Sequence, residues 1–153
     1  MWILRTLMLL ALIAWVGGII FFAFVLAPTL FTVLPPQVAG NVVSPSLTKL
    51  HWIGLVAGVV FLTCSVAYNR ARHGELRLFG ASQVMVLVML ILTAVSQFAV
   101  TPRMRELRAG QSRMDTINSR AEFDRLHQWS TRLEGGVLIL GLMVVALKAR
   151  ESN

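Results

Sequence analysis

Phe24-Val25-Leu26-Ala27-Pro28, followed after a loop by Lys49-Leu50-His51-Trp52, returns later in the chain as Phe98-Ala99-Val100-Thr101-Pro102, followed by Arg125-Leu126-His127-Gln128-Trp129. Each copy joins an apolar segment ending in a Phe-x-x-x-Pro step to a second segment opening on Leu-His. The two proline-to-histidine separations are nearly equal, which predicts tandem duplication of a two-helix unit. Such a unit returns the chain to the side it started from, so both copies cross a membrane in the same sense. His51 and His127 are therefore expected at one membrane face, related by a pseudo-twofold axis along the membrane normal.

The class follows from where charge is missing. The chain has 153 residues, 56% of them hydrophobic and 14% charged. No Asp, Glu, Lys or Arg lies between Arg5 and Lys49, between Lys49 and Arg70, or between Arg77 and Arg103. A membrane span needs about 20 apolar residues, and a soluble chain of this size cannot bury three such runs. The expectation is an all-α integral membrane four-helix bundle, a single transmembrane domain over 1–153. Its spans fall at about 3–34, 45–69, 78–101 and 127–148, with a polar loop or amphipathic helix over 103–126.

The first apolar run is too long for a signal-peptide core and reads as a retained span. The net charge of +7 argues for no nucleic acid partner, because arginines at span ends meet lipid phosphate. Cys64 has no second cysteine to pair with and reads as a small apolar residue. His73, in a basic loop, reads as solvated.

Pro28 is expected to loosen the first span and Pro35-Pro36 to end it, with Ser44-Pro45 as cap and first turn of the second. Ser112-Arg-Met-Asp115 has the spacing of a capping box that starts the last helix. An even number of spans puts both termini on one side. The short loop bearing Arg70, Arg72 and Arg77 is densely basic, while the basic stretch after Pro102 is balanced by acids, which favours cytoplasmic termini.

Helical spacing puts His127, Ser130 or Thr131, and Glu134 on one stripe, and His51, Gly54, Gly58 and Ser65 on another. Gly54 and Gly58, like Gly17 and Gly18, allow close helix approach. Gln83, Thr93, Gln97 and Thr101 form a polar line that lipid would not tolerate. With Ser130 and Thr131 they are expected to line a pocket near the face bearing both histidines. Two imidazoles on an axis, with Glu134 beside them, could hold a transition metal or a haem iron, or handle a proton. The plainer reading is of interfacial histidines on carbonyls or headgroups, beside Trp52 and Trp129 as anchors. For Glu134 the plainer reading is a partner in Lys49 or an arginine after Pro102. Met85 and Met89 have thioether-pair spacing, which in a membrane helix is more simply packing.

Gly17-Gly-Ile-Ile-Phe-Phe-Ala-Phe-Val-Leu-Ala-Pro-Thr-Leu-Phe31, Leu34-Pro35, Ala39-Gly40, Val100-Thr-Pro-Arg-Met-Arg-Glu-Leu-Arg108 and Phe123-Asp-Arg-Leu-His-Gln-Trp-Ser130 together resemble the transmembrane protein 205-like family. That resemblance spans nearly the whole chain and implies a small four-span protein. In layout the chain is distantly similar to the copper resistance protein D membrane domain and to the membrane-bound, haem-dependent protoporphyrinogen oxidase. This implies metal or haem handling by His51 and His127, by analogy of fold. The competing expectation is a structural or assembly subunit, as a homo-oligomer or within a larger membrane complex, with the paired glycines as contact faces. No phosphate loop, nucleophile elbow or metalloprotease helix is present, so nothing argues for an enzyme.

Overall fold

The computed structural model describes residues 2–73, 80–111 and 117–150. They form four long helices: α1, Trp2–Val33; α2, Pro36–His73; α3, 81–111; and α4, Ile117–Arg150. Each contains a stretch long and apolar enough to cross a bilayer. The chain is thus an all-α bundle. It runs up and down, with α1 against α2, α2 against α3, α3 against α4, and a thinner contact between α1 and α4.

The elbow between α1 and α2 is made by sequence. Leu34 is extended (φ −115°, ψ 151°) because the ring of Pro35 disfavours helix in the residue before it. A new helix starts at once, Ala39 N–H donating to the Pro35 carbonyl at 2.9 Å. The second span therefore begins well before Ser44-Pro45, and Pro45 lies inside α2 instead of capping it. Ser46 and Thr48 donate to the Val42 and Ser44 carbonyls (2.8 and 3.0 Å) around this proline. Ala39, fully buried, packs the early turns onto the bundle. Ser112–Asp115 and the His73 side chain lie outside the described residues.

In lipid the hydrophobic drive that holds soluble cores together is nearly absent between helices, so close packing and hydrogen bonds must do more. Trp15, 2% exposed, lies against α2 where Gly54 and Gly58 leave room. A Cβ on Gly54 would collide with the indole nitrogen, and one on Gly58 would sit 2.7 Å from Trp15 Cζ3 and 2.5 Å from Leu90 Cδ2. Gly18 receives Leu50 in the same way, whereas Gly17 faces open space. The paired glycines of α2 are thus occupied by the protein's own α1 and α3. Below Trp15 the core continues through Phe61, Val86, Met89, Val137 and Val144, each at most 1% exposed. The outer faces carry Ile13, Phe21, Val56, Ile91 and Ile139, exposed apolar groups that suit a lipid surround.

The duplication reappears as backbone geometry. α1 widens into a π-helical turn at Phe22–Leu26, just before Ala27-Pro28. α3 widens at Ser96–Val100, just before Thr101-Pro102. The two wide turns hold the same register against the two prolines. A proline has no N–H and its ring crowds the carbonyl four residues back, so a wider turn ahead of it relieves the clash. α1 has a further π-helical turn at Ile13–Gly17.

Candidate functional site

His51 reaches the bundle interior from α2 and is 1% exposed. Two other helices meet it. Its Nδ1 lies 2.9 Å from Gln97 Oε1 on α3, and its Nε2 lies 2.5 Å from Glu134 Oε1 on α4. Gln97 is buried in the wide turn before Pro102, and the Glu134 side chain is 17% exposed. Three helices thus close on one imidazole midway along α2, α3 and α4, with Gln97 six residues before the first charge of α3 at Arg103.

The orientation of the Gln97 amide sets the roles of the two ring nitrogens. With Oε1 of Gln97 facing the ring, Nδ1 must donate, because that amide oxygen can only accept. Nε2 and the Glu134 carboxyl then share one proton, either as imidazolium and carboxylate or as neutral imidazole and carboxylic acid. Both forms of the pair are neutral overall, which is how an ionisable group is tolerated at this depth. A second proton would make the pair cationic and loss of the shared one would make it anionic. The geometry thus joins a histidine and a carboxyl from different helices across a short contact inside the bundle.

The surrounding polar groups fall into two layers. Beside Gln97, Thr93, Ser96, Thr101 and Ser130 are all buried. Thr101 Oγ1 donates to the Ser96 carbonyl at 2.9 Å, within the wide turn. Far down the bundle, Gln83 Nε2 donates to Ser65 Oγ at 2.8 Å. That places Gln83 away from the pocket expected around both histidines. Outside the His51 layer, Arg105 donates to Thr48 (2.6 Å). Arg103 bridges to Glu106 (3.4 Å) and to Glu122 (3.1 Å), tying the outer ends of α3 and α4 together.

His127 does not join this site. It is exposed and its ring stacks on Phe123, with centroids 6.4 Å apart and planes 4° from parallel. It precedes Glu134 by two helical turns, a rise of roughly 10 Å. The structure therefore brings together His51 and Glu134 and leaves the His51–His127 pair apart. Thr131 is likewise exposed, its hydroxyl donating to the His127 carbonyl (3.0 Å). Glu134 meets a histidine, where the charge pattern pointed to Lys49 or an arginine. Among the described residues no group of three or more His, Cys, Asp and Glu is placed to hold a metal ion. Met85 and Met89 belong to the apolar packing. Trp52 and Trp129 are half exposed, Trp52 edge-on to Phe98 and Trp129 beneath the Arg132 guanidinium at 5.9 Å.

The sequence stripe contained Gln97 but not its role as the acceptor for His51. Ser96, next to Gln97 in sequence, is a further buried polar group that the spacing of the stripe omits. Ser65 was placed on the His51 face without its partner Gln83.

Fold and site together define an integral membrane four-helix bundle with a buried inter-helix histidine–carboxylate pair. The chain belongs to the family described as "Domain of unknown function (DUF4149)", whose model matches residues 10–113. That match takes in His51 and Gln97 and ends before α4, which supplies Glu134. It indicates an uncharacterised family and lends no specific support to the transmembrane protein 205-like family or to copper resistance protein D. No curated protein and no solved structure matches the chain.

Proposed function

We propose that this protein is a proton-binding membrane protein in which His51 and Glu134 take up and release a proton near one membrane face. The observation that carries the reading is the 2.5 Å contact between Nε2 of a 1% exposed histidine and a carboxylate from a different helix. A purely structural tie in a membrane core needs only neutral hydrogen bonds or small-residue packing, both of which this bundle has elsewhere. An ionisable pair adds a state that changes with protonation. Of the ligands the histidines suggested, a proton suits a two-member site better than a metal or haem, for which two well-separated histidines offer no shared centre. The arginines between the second and third apolar runs, Arg70, Arg72 and Arg77, favour cytoplasmic termini and so an outward-facing His51 site.

The test is infrared difference spectroscopy of the purified protein in lipid, recorded across a pH step. Wild type is expected to show a carboxyl C=O band coupled to imidazole bands. Glu134→Gln should remove both together, and His127→Ala should leave both in place. A spectrum unchanged in Glu134→Gln would overturn the assignment.

A further inference from the structure

The hydrogen bonds of α3 leave two hydroxyls over. Thr93 Oγ1 and Ser96 Oγ belong to residues 1% and 0% exposed, and neither has a partner in the protein. A serine or threonine in a helix ordinarily turns back to a carbonyl of the preceding turn, as Thr63 does to Val59 (2.7 Å) and Thr48 to Ser44 (3.0 Å). Thr93 and Ser96 do not. Both face inward on the stripe that carries Gln97, which binds His51.

Their spacing suits one small ligand. Side chains three apart on a helix have Cβ atoms about 5–6 Å apart, a gap that a single water spans with two bonds of about 2.8 Å. Buried water typically makes about three hydrogen bonds to polar groups otherwise unsatisfied. Gln97 offers the third: its Oε1 is taken by His51, but the amide carries two N–H donors. Pro102 adds a further acceptor, since it supplies no N–H to the Gln97 or Phe98 carbonyls behind it.

Toward the termini this polar layer stops. Met89 lies one turn from Thr93, Val137 one turn from Glu134, and Phe61, Val86 and Val144 follow, all at most 1% exposed. The next buried polar side chains in that direction among the described residues are Ser65, Ser82 and Gln83, with Gln83 donating to Ser65. Gln83 stands ten residues from Thr93, roughly 15 Å along the axis. Water that entered this plug would be walled almost entirely by apolar side chains, with the Trp15 indole N–H, set against Gly54, at its edge. On the other side Glu134 is 17% exposed, and Thr101 and Ser130 continue the polar groups alongside the buried apolar Leu50 and Val100.

We propose that Thr93 and Ser96 hold an internal water belonging to the His51 site, and that this hydrated chamber is blind, opening only toward the face near Glu134. Its use as a proton store rests on the function proposed above, while the water site itself does not. A blind chamber binds and releases protons from one side and conducts none across.

The experiment is water-edited solid-state NMR of the isotope-labelled full-length protein in proteoliposomes. Magnetisation starting on water should reach the Thr93 and Ser96 side chains and the His51 ring at short mixing times, while Met89 and Val86 stay dark. In Thr93→Val/Ser96→Ala, which keeps side-chain shape, transfer to the His51 ring should fall. Thr93 and Ser96 as dark as Met89 in wild type would overturn the water site, without dependence on any variant. Met89 and Val86 as bright as Thr93 would overturn the blind end. The His51 ring nitrogen shifts, followed over pH in the same samples, separate the two ideas. Fixed shifts with bright hydroxyls would sink the proton reading and leave the hydrated chamber standing.

Discussion

Aligned on their prolines and histidines, the two halves of the duplication share a backbone and differ in what they place on it. Both widen into a π-helical turn before the proline. In the second half that stretch carries Thr93, Ser96, Gln97 and Thr101, while the first half has Ile19, Phe22, Ala23 and Ala27 at the matching positions. On the helices that follow, the first half has Gly54 and Gly58 where the second has Ser130 and Glu134. The first half is a socket for Trp15, and the second supplies the polar partners. His51 comes from the socket half and is met by Gln97 and Glu134 from the other. By the same alignment His127 would look to Ala23 and Gly58, neither of which offers a side-chain hydrogen bond, and it lies outside among exposed residues. Of the two matching histidines, His51 is buried among hydrogen-bonding partners and His127 is exposed.

The sharpest way to break that division is to move the carboxylate into the socket. Gly58→Glu places a charge against Trp15 and Leu90 with no histidine in reach. A buried charge without a partner costs about 3–5 kcal/mol, and overpacking adds to it. The expected outcome is loss of the monodisperse, cooperatively unfolding species in detergent, followed by size exclusion and thermal circular dichroism. A normal melting transition would show that Trp15 and Gly58 are not the constraint that the geometry makes them.

The histidines themselves come next. His51→Ala strips Gln97 and Glu134 of their partner and opens a void, an expected cost of about 1–3 kcal/mol. His127→Ala removes an exposed ring stacked on Phe123 and should stay within about 0.5 kcal/mol of wild type. Thermal unfolding of the two variants side by side measures the asymmetry. Equal losses would return the pair to equal standing and undo the comparison.

Giving the second half the first half's residue is subtler. Gln97→Ala removes one buried hydrogen bond, at about 0.5–1.5 kcal/mol. The contact with Glu134 remains. The informative reading is the His51 Nδ1 resonance, which should lose the signature of a hydrogen-bonded N–H while Nε2 keeps its coupling to the carboxyl. If both nitrogens are unmoved, Gln97 does not set the tautomer.

Much of this was legible in the sequence. The repeat, the charge-free runs and the inward polar stripe each state a local fact with a period, and the bundle follows from them. What stayed hidden was relational. Whether a Leu-His step ends up buried depends on residues from two other helices, and nothing local at His51 or His127 tells them apart. Glu134 invited a cationic partner because charge pattern along a chain reports sign and not depth. Pro45 looked like a helix start because Ser-Pro usually is one, yet burial of Ala39 holds the helix together on its far side. The wide turns had no sequence signal beyond the prolines that follow them.

The smallest effect tests whether the shared backbone device matters because of what it carries. Pro28→Ala and Pro102→Ala each restore one N–H to a stretch beside an exposed proline and should change stability by no more than about 1 kcal/mol. The site should respond to only one of them. Gln97 sits within the turn Ser96–Val100, so relaxing that turn toward α-helix rotates its amide relative to the His51 ring. The matching turn Phe22–Leu26 has Ala23 there and nothing to displace. The His51 nitrogen resonances should therefore shift in Pro102→Ala and stay in place in Pro28→Ala. Equal responses would mean that the prolines act through the bundle as a whole, and that the wide turn is an inherited accommodation of proline with no part in aiming Gln97.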